Sequence, residues 1–387
     1  MKKVYLDHNA TTPVHPEVME AMKPYFMDEF GNPSSLHGYG RKSRVAIESA
    51  REKIAGIFKC LPQEIIFTSG GTESNNLAIK GIAWARKNMG RHIITSTIEH
   101  HAVLEPFHYL ERNGFEATFL EPDSNGRISV DDLKNALRTD TILVSIIHAN
   151  NETGTIQDIA ELALITHKTG ALFHTDAVQS TGKIPYEIDK LGVDILSVSG
   201  HKLYAPKGVG LLYLNKKVKI QQLNHGGSHE SNRRAGTENV PGIVGLAKAI
   251  EIAWRDMDEE TERLTKLTGI FTEEVKKRIP DITIIGDQKH RVPNTVSIAF
   301  SAVEGESILL SLDLKGIAVS AGSACASGET EPSHVILAMG VPPELAQATI
   351  RFSFGRLNDF SDIDYVLDAL EKEVDRLRSI SPLYHNS

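Results

Sequence analysis

Residues 194–202 read Asp194-Ile195-Leu196-Ser197-Val198-Ser199-Gly200-His201-Lys202, a short β-rich run that ends in small and charged residues. Similar runs recur along the chain, at 64–68, 92–97, 141–148, 171–174, 194–199 and 209–214. Helical patterns lie between several of them, at 72–87, 103–113 and 159–169. Short strands that alternate with helices predict an α/β fold with a mostly parallel sheet. The 209–214 run closely follows its predecessor, so it is a candidate for an antiparallel strand.

The remainder of the chain predicts a second, smaller domain. Residues 242–279 form an almost continuous helical pattern, long enough to join two domains. Strand and helix patterns then mix in an α+β order, at 294–300, 306–313 and 349–354. A last helix reaches Arg378, with Ser361 as its expected N-cap. We divide the chain into a large domain, 15–260, and a small domain formed by 1–14 and 261–387.

The composition restricts the classes of function. The chain has 387 residues, of which 41% are hydrophobic and 24% charged, so it has enough apolar surface for a large core. A formal net charge of −8 argues against a nucleic acid partner, because binding to the phosphate backbone needs a basic surface. Its apolar stretches are shorter than the ~20 residues of a membrane span, and the amino terminus turns polar too early for a secretory signal. We therefore expect a cytoplasmic protein without a membrane partner.

The two cysteines of the chain differ in their surroundings. Two are too few for a disulfide framework or a four-thiolate metal site. Cys60 follows an apolar helical pattern, where a structural thiol is expected. Cys325 lies in a run of small residues that offers little to pack around sulfur, a setting that suits an exposed, mobile thiol. A metal site at His225 and His229 is disfavoured, because two glycines between them predict a loop and no cluster of thiols or carboxylates accompanies them.

Candidate site residues follow the predicted strands, because parallel α/β sheets bind ligands at the carboxyl ends of their strands. Ser69-Gly70-Gly71-Thr72 joins a strand to a helix and is a possible phosphate cradle, although such a turn is more often only a turn. Asp176 and Gln179 follow the 171–174 strand, and Asp176 is either the partner of a cation or a helix cap. Lys202 ends an apolar strand at the same edge. This setting lowers the pKa of an amine, as a Schiff-base lysine requires, whereas most lysines are solvated surface charges.

Pyridoxal phosphate would use all of these groups. Its aldehyde requires a lysine, its ring nitrogen a carboxylate, and its phosphate hydroxyl and backbone donors. Lys202, Asp176 and Thr72 meet those needs in turn. His100, which follows the 92–97 strand, is placed to cover the ring. The chain has no GxGxxG motif and no P-loop, so dinucleotide and nucleoside triphosphate sites have no support.

Short motifs spread along nearly the whole chain carry a resemblance to a known family. They are Tyr5-Leu6-Asp7-His8-Asn9-Ala10-Thr11-Thr12, Gly31-Asn32-Pro33-Ser34-Ser35, Thr72-Glu73-Ser74-Asn75-Asn76, Glu99-His100, Asn150-Asn151-Glu152, Asp176-Ala177-Val178-Gln179, His201-Lys202, Arg234-Ala235-Gly236-Thr237 and Ser323-Ala324-Cys325. The chain resembles the cysteine desulfurases of the NifS/IscS-like branch of the class V aminotransferases, which supply sulfur for iron-sulfur cluster assembly. His8 and Gly71 depart from the asparagine and alanine that are frequent in that family.

The resemblance implies a fold and a set of residue roles. The fold is the pyridoxal-phosphate transferase fold type I, a large domain with a mostly parallel seven-stranded sheet plus a smaller α+β domain, in a homodimer with active sites near the subunit interface. Lys202 forms the Schiff base, Asp176 pairs with the pyridine nitrogen, and His100 stacks on the ring and moves protons. Gln179 and Asn151 hydrogen-bond around the ring oxygen. The other cofactor-binding positions are Gly71, Thr72, Ser199 and His201, together with Thr237, which reaches in from the partner subunit.

The resemblance also implies the reaction, which converts L-cysteine to L-alanine. Arg351, with Asn151 beside it, binds the substrate carboxylate, for which a guanidinium fork suits better than an ammonium. Cys325 takes the sulfur as a persulfide and passes it to an acceptor, a scaffold protein for iron-sulfur clusters. Residues 320–333 resemble the branch with a long cysteine loop, which implies direct transfer.

Three alternatives remain open at this point. An aminotransferase uses the same lysine and aspartate but does not need Cys325. A selenocysteine lyase acts on the selenium analogue and could dispense with the thiol. A sulfur carrier or assembly scaffold would bind no cofactor at Lys202.

Overall fold

A seven-stranded sheet organises the larger part of the molecule. The structure is a computed structural model that describes residues 2–321, 331–382 and 384. Its strands are β1 (Val4–Tyr5), β2 (Ile65–Thr68), β3 (His92–Ser96), β4 (Glu116–Leu120), β5 (Thr141–Ser145), β6 (Leu172–Asp176), β7 (Ile195–Ser199), β8 (Gly210–Leu214), β9 (Ile282–Ile285), β10 (Thr295–Phe300), β11 (Ile317–Ala318), β12 (Ser320–Ala321) and β13 (Thr349–Ser353). The large sheet has the order β2-β8-β7-β6-β5-β3-β4.

The pairing in this sheet confirms the predicted α/β class. Strands β3 to β7 pair in parallel with their neighbours, whereas β8 is antiparallel to both β2 and β7, as its close succession to β7 indicated. Successive residues of a strand point to opposite faces of the sheet and therefore belong to different apolar clusters. Leu143 belongs to one cluster and Val144 to the other. Both faces of the sheet are therefore covered, which is typical of parallel sheets.

Within the seven-stranded sheet, β4 is the strand that the runs of β-rich residues did not identify. It lies at the edge of the sheet beside β3, and among its residues Leu120 is buried while Glu116 is exposed. β4 contains one β-branched residue, Thr118, against three in the neighbouring β3, so its β propensity is weaker. The resemblance had implied the seventh strand that the residue pattern lacked.

The helices cover the sheets and join the two parts of the chain. They are α1 (Pro16–Met22), α2 (Pro24–Met27), α3 (Gly38–Phe58), α4 (Gly71–Arg86), α5 (His101–Glu111), α6 (Val130–Ala136), α7 (Ile159–His167), α8 (Ile188–Leu191), α9 (Val240–Arg255), α10 (Met257–Arg278), α11 (Gly305–Asp313), α12 (His334–Ala338), α13 (Pro343–Gln347) and α14 (Phe360–Ile380). None of the helices in the described ranges is long and apolar enough to cross a membrane.

Two helix predictions need correction. The pattern at 242–279 is two helices, α9 and α10, because Asp256 between them has φ −99° and ψ 5°, outside helical geometry. Ser361 is not the N-cap of α14. Asp359 caps this helix, since its carboxylate accepts from the Ser361 N–H at 2.8 Å, while the Asp362 carboxylate accepts from the Asp359 N–H at 3.2 Å. This reciprocal capping box satisfies two backbone donors, which a serine at 361 alone would not do.

A second sheet and a separate apolar cluster occupy the carboxyl-terminal part. The sheet has the order β12-β13-β10-β9 and is antiparallel. The amino-terminal strand β1 joins this part by pairing in parallel with β11, and Leu6 packs in the same cluster as residues of α10 and α14. These contacts support the division into 15–260 and 1–14 with 261–387, which we retain as a proposal.

Candidate active site

The predicted site residues within the described ranges meet in one cavity, with the exception of Thr237. The cavity has a volume of about 180 Å³ and lies at the carboxyl ends of β6 and β7. Its lining residues are Asn9, Ala10, Gly71, Thr72, Asn75, His100, Ala102, Ile147, Asn151, Asp176, Val178, Gln179, Ser199, His201, Lys202 and Arg351. Thr237 is exposed and does not line this cavity. Cys325 lies outside the described residues.

Lys202 reaches the cavity from a short turn after β7. The turn is possible because residue 200 is glycine: a Cβ there would lie 3.0 Å from the carbonyl oxygen of Val209. The Lys202 ammonium is partly buried and donates to the carbonyl oxygens of Asn9 at 2.5 Å and Ala10 at 2.7 Å. The amino-terminal segment therefore holds the end of this side chain at the cavity wall.

Asp176 is the last residue of β6 and is 4% exposed. One carboxylate oxygen accepts from the Val178 N–H at 2.9 Å, and the other accepts from the Asn75 side-chain amide at 2.6 Å. Asp176 thus caps a turn, and not a helix, and it also lines the cavity, while its pairing with a cation stays a prediction. Sequence reasoning missed Asn75 as a site residue. The signal was its position three residues after Thr72, which puts both on one face at the start of α4.

The turn before α4 provides a concave wall rich in hydrogen-bond donors. A Cβ at Gly71 would come within 2.9 Å of the Val178 side chain and 3.4 Å of the Ser199 Cβ, so the missing side chain keeps this wall open. Ser199 is buried, and Thr72 lies at the exposed end. Free N–H groups at the start of a helix, together with hydroxyl donors, favour the binding of an anion.

His201 adds an uncharged imidazole to this wall. Burial, with the charges of Lys202 and Lys207, lowers the pKa of His201 to about 4. Its Nδ1 lies 3.1 Å from the hydroxyl oxygen of Thr11. A neutral imidazole still carries one N–H donor, so it can bind an anion by a hydrogen bond without adding a charge.

His100 is the N-cap of α5, and its protonation state follows from that role. Its Nδ1 accepts from the Ala102 N–H at 3.0 Å. A neutral imidazole whose Nδ1 accepts must carry its proton on Nε2. Burial lowers the pKa of His100, and the Lys202 charge acts in the same direction while Asp176 opposes it. The ring therefore offers an Nε2–H donor at the cavity.

Arg351 comes from β13 of the second sheet, so the cavity draws on both parts of the chain. Its side chain is almost fully buried and donates to the carbonyl oxygen of Asn151 at 3.1 Å. It also pairs with the Asp7 carboxylate at 2.9 Å. Its Nε is buried without a hydrogen-bond partner among the described residues. The guanidinium is held in place and retains donor capacity for a further anion.

Two buried glutamates adjoin residues that line the cavity. Glu99 accepts from the Ile147 N–H at 2.9 Å, and burial raises its pKa to about 8. Glu152, next to Asn151, accepts from the Ser333 hydroxyl at 2.5 Å, and burial raises its pKa to about 7. At neutral pH the surroundings of the cavity are therefore less negative than the number of acidic residues indicates.

Cys60 has the surroundings of a structural thiol. It lies just after α3, is partly buried and packs against the main apolar cluster. Burial, with the carboxylates of Glu64 and Asp189, raises the pKa of Cys60 to about 12. Its sulfur stays protonated at neutral pH and is a poor nucleophile. The prediction for Cys60 is confirmed.

The two histidines considered for a metal lie apart from this cavity. His225 is exposed, and His229 lies 4.0 Å from the Glu238 carboxylate and 3.4 Å from the Ser34 hydroxyl. Across residues 2–321, 331–382 and 384, no group of three or more histidine, cysteine, aspartate or glutamate side chains is arranged to hold a metal ion.

Comparison with known proteins gives consistent matches over nearly the full length. The profile of the aminotransferase class-V family matches residues 4–366. Cysteine desulfurase IscS of Dictyoglomus turgidum is 58% identical over 381 residues, which cover 98% of this chain and 97% of that protein. A solved structure named NifS-like protein aligns with a TM-score of 0.92 and 40% identity, covering 97% of this chain and 100% of its own. A structure of SspA in complex with cysteine aligns with a TM-score of 0.81 and 37% identity, covering 91% and 99%.

Proposed function

The chain belongs to the cysteine desulfurases of the class-V aminotransferase family, and we propose that it binds pyridoxal phosphate at Lys202 and converts L-cysteine to L-alanine. The observation that carries this proposal is the convergence of three groups in one cavity. Lys202 supplies an amine, Asp176 a buried carboxylate and Arg351 a guanidinium, from three separate strands or strand ends. The solved relative that binds cysteine supports the choice of substrate.

The residues present suit this cofactor. An aldehyde needs the Lys202 amine, a ring nitrogen needs the Asp176 carboxylate, and a phosphate needs the donors beside Gly71, where the absent Cβ leaves room. The hydroxyls of Thr72 and Ser199 and the imidazole of His201 complete the phosphate wall in this proposal. When bound, the cofactor would supply an electron-withdrawing ring that stabilises negative charge at the substrate α-carbon.

The chain's own residues then bind the substrate and move its protons. Arg351 and Asn151 hold the substrate carboxylate. This carboxylate accepts from the N–H groups of Arg351 that remain after its contacts with Asp7 and the Asn151 carbonyl oxygen. The Lys202 amine, once free of the cofactor, removes the α-proton. His100 donates from its Nε2–H, since its Nδ1 is occupied by the Ala102 N–H.

We assign the sulfur-accepting thiol to Cys325, on the resemblance and by comparison with Cys60. The pKa of about 12 at Cys60 removes that residue as a candidate thiolate. In the proposed step the Cys325 thiolate forms an S–S bond with the substrate sulfur while the substrate C–S bond breaks. The electron pair of that bond stays on carbon, which takes a proton to give alanine, and the enzyme keeps the sulfur as a persulfide.

We further propose that the chain acts as a homodimer and passes the sulfur to a scaffold protein for iron-sulfur clusters. Several large apolar side chains of residues 19–45 are exposed, namely Met19, Phe26, Met27, Phe30, Leu36, Tyr39 and Val45, and the rings of Phe30 and Tyr39 lie 5.5 Å apart. Exposed apolar side chains concentrated in one stretch of the chain favour association. Thr237, exposed and outside its own cavity, is then available to the cavity of a partner.

Intact mass measurement after incubation with L-cysteine tests the proposal. The wild-type protein and the Cys60→Ser control are expected to gain one sulfur atom, whereas Cys325→Ser gains none. Alanine formation that survives in Cys325→Ala would favour an aminotransferase or a selenocysteine lyase, and turnover of cysteine against selenocysteine separates these two. A colourless protein that binds no cofactor would favour a sulfur carrier.

A further inference from the structure

Lys183 is a partly buried lysine without a role in the reaction described above. It follows Gly182 in the loop after β6, and its ammonium donates to the Asn9 side-chain oxygen at 2.9 Å and to the Gln179 side-chain oxygen at 2.5 Å. Within the described residues, none of its hydrogen bonds or ion pairs involves a carboxylate. Burial lowers the pKa of Lys183 well below its usual value, and the charges of Lys202 and Arg351 act in the same direction.

The position of Lys183 determines the orientation of the Gln179 amide. The Lys183 amine carries N–H donors in either charge state and the Asn9 carbonyl oxygen only accepts, so the amide turns its oxygen towards Lys183. The amide nitrogen then faces the carbonyl oxygen of Asn9, to which it donates at 2.9 Å. The reverse orientation would place two oxygens against each other at Asn9 and two donors against each other at Lys183. Lys183 thus presents an N–H group of Gln179, and not its oxygen, to the cavity side.

The same ammonium holds Asn9, which contacts the catalytic lysine. The Asn9 carbonyl oxygen accepts from Lys202 at 2.5 Å, while its side-chain oxygen accepts from Lys183 and from Asn294 at 3.0 Å. The Asn9 side-chain nitrogen donates to the Thr295 hydroxyl at 2.8 Å. Asn9 therefore links Lys202 to β10 of the second sheet, and Lys183 is one of the donors that fix it.

We propose that Lys183 is a positioning residue that fixes Gln179 and Asn9, so that Gln179 offers a donor to the ring oxygen of the cofactor beside Lys202. This inference rests on the proposed function, because the donor matters only if an oxygen-bearing ring occupies the cavity. An NH₂ group carries two donors and Asn9 uses one, so a second is available for a ligand. Lys183 itself does not touch the reacting atoms.

A smaller cavity of about 50 Å³ lies behind Lys202 and includes Lys183 and Gly182 in its wall. A Lys183→Arg variant keeps the donors at this position. The charged and titratable groups that act on Lys183 are Lys202 and Arg351, and Lys183 acts in turn on His8.

The test uses holoenzyme and compares Lys183→Met, Gln179→Ala and the double variant. Lys190→Met is the matched control, because Lys190 is exposed and pairs with Glu187 at 2.9 Å on the surface. The measurements are the pH midpoint of the visible absorption band of the bound cofactor and the dissociation constant of pyridoxal phosphate from apoprotein. Thermal unfolding of apoprotein is followed alongside.

We expect Lys183→Met to raise the pH midpoint by about one unit, because Gln179 is no longer held with its N–H towards the ring oxygen, and that donor favours the deprotonated form of the bound cofactor. Pyridoxal phosphate should bind roughly tenfold more weakly, in line with one lost hydrogen bond. The double variant should resemble Gln179→Ala, and Lys183→Arg should return the midpoint towards wild type. Lys183→Gln, a milder neutral variant, carries the same expected rise, so the test does not depend on the folding of the methionine variant.

Two results would overturn the inference. The first is that the pH midpoint of the absorption band is the same in Lys183→Met and Lys183→Gln as in wild type and the Lys190→Met control. The other is additive effects of Lys183→Met and Gln179→Ala, which would mean that the lysine does not act through the amide. If wild-type protein binds no pyridoxal phosphate, the proposed function itself fails, which is a different outcome from either of these.

Discussion

The hydrogen bond between Asn75 and Asp176 provides a measurable prediction about a residue that the sequence did not single out. The Asn75 amide donates to the Asp176 carboxylate at 2.6 Å, and both residues are almost fully buried. Asn75→Ala removes one donor from this carboxylate. A hydrogen bond to a charged group contributes about 1.5–3 kcal/mol, so the free energy of unfolding of the apoprotein should fall by that amount.

A matched control lies at the next position. The Asn76 amide donates to the carbonyl oxygen of Thr72 at 3.0 Å on the more exposed side of the same helix. Replacing asparagine by alanine improves helix propensity by ~0.5 kcal/mol at either position. Asn76→Ala therefore gains the same helix propensity as Asn75→Ala but keeps the hydrogen bond to the Asp176 carboxylate. The difference between the two variants therefore isolates the contact with the carboxylate.

Urea unfolding of the two apoproteins and titration with pyridoxal phosphate form the assay. Asn75→Ala should be less stable than Asn76→Ala by about 2 kcal/mol. It should also bind the cofactor more weakly, because the Asp176 carboxylate loses a hydrogen bond that holds it in position. Equal stability and equal affinity in the two variants would refute the reasoning that this contact holds Asp176 ready for a cation.

Three further predictions concern other parts of the molecule. Arg351→Lys keeps the charge but loses the planar fork, so kcat/KM for cysteine should fall about 10- to 100-fold; an unchanged value would remove Arg351 from the substrate site. His174 is fully buried with a pKa lowered to about 3, so the folded state binds fewer protons than the unfolded state below pH 6.5. The stabilising contribution of the neutral His174 imidazole is complete above pH 6.5 and is lost as pH falls. The free energy of unfolding of His174→Gln, measured in urea, should therefore depend less steeply on pH in acid than that of wild type, by up to ~1.4 kcal/mol per pH unit. Cys60→Ser should lower the unfolding free energy by about 1 kcal/mol without changing persulfide formation, and loss of persulfide in this variant would contradict the assignment to Cys325.

The sequence predicted much of the fold because its signals are local. Central strands such as β7 are buried throughout, so their apolar runs stand out. The break between α9 and α10 was not visible, because Asp256 is compatible with either a helix interior or a helix end. Strand β4 has only one β-branched residue, Thr118, and was not identified. Local rules thus identified six of the seven strands and failed at the β4 edge and at helix ends.

The candidate site divides in the same way. Lys202 and Asp176 were predicted because each follows an apolar strand at the binding edge of the sheet. The partners that orient them were not predicted, since Asn9 and Lys183 acquire their contacts only when distant segments pack together. Polar residues in loops are common, and the sequence alone does not indicate which of them point inward. Three-dimensional packing supplied this second set of residues.

Borohydride reduction of the protein with bound pyridoxal phosphate, followed by peptide mapping, tests the central claim most directly. Reduction fixes the cofactor to the amine that holds it, and we predict a single modified peptide that contains Lys202. A cofactor attached to Lys183, which lies beside Gln179 in the same part of the molecule, or no attached cofactor at all, would contradict the assignment on which the proposed function depends.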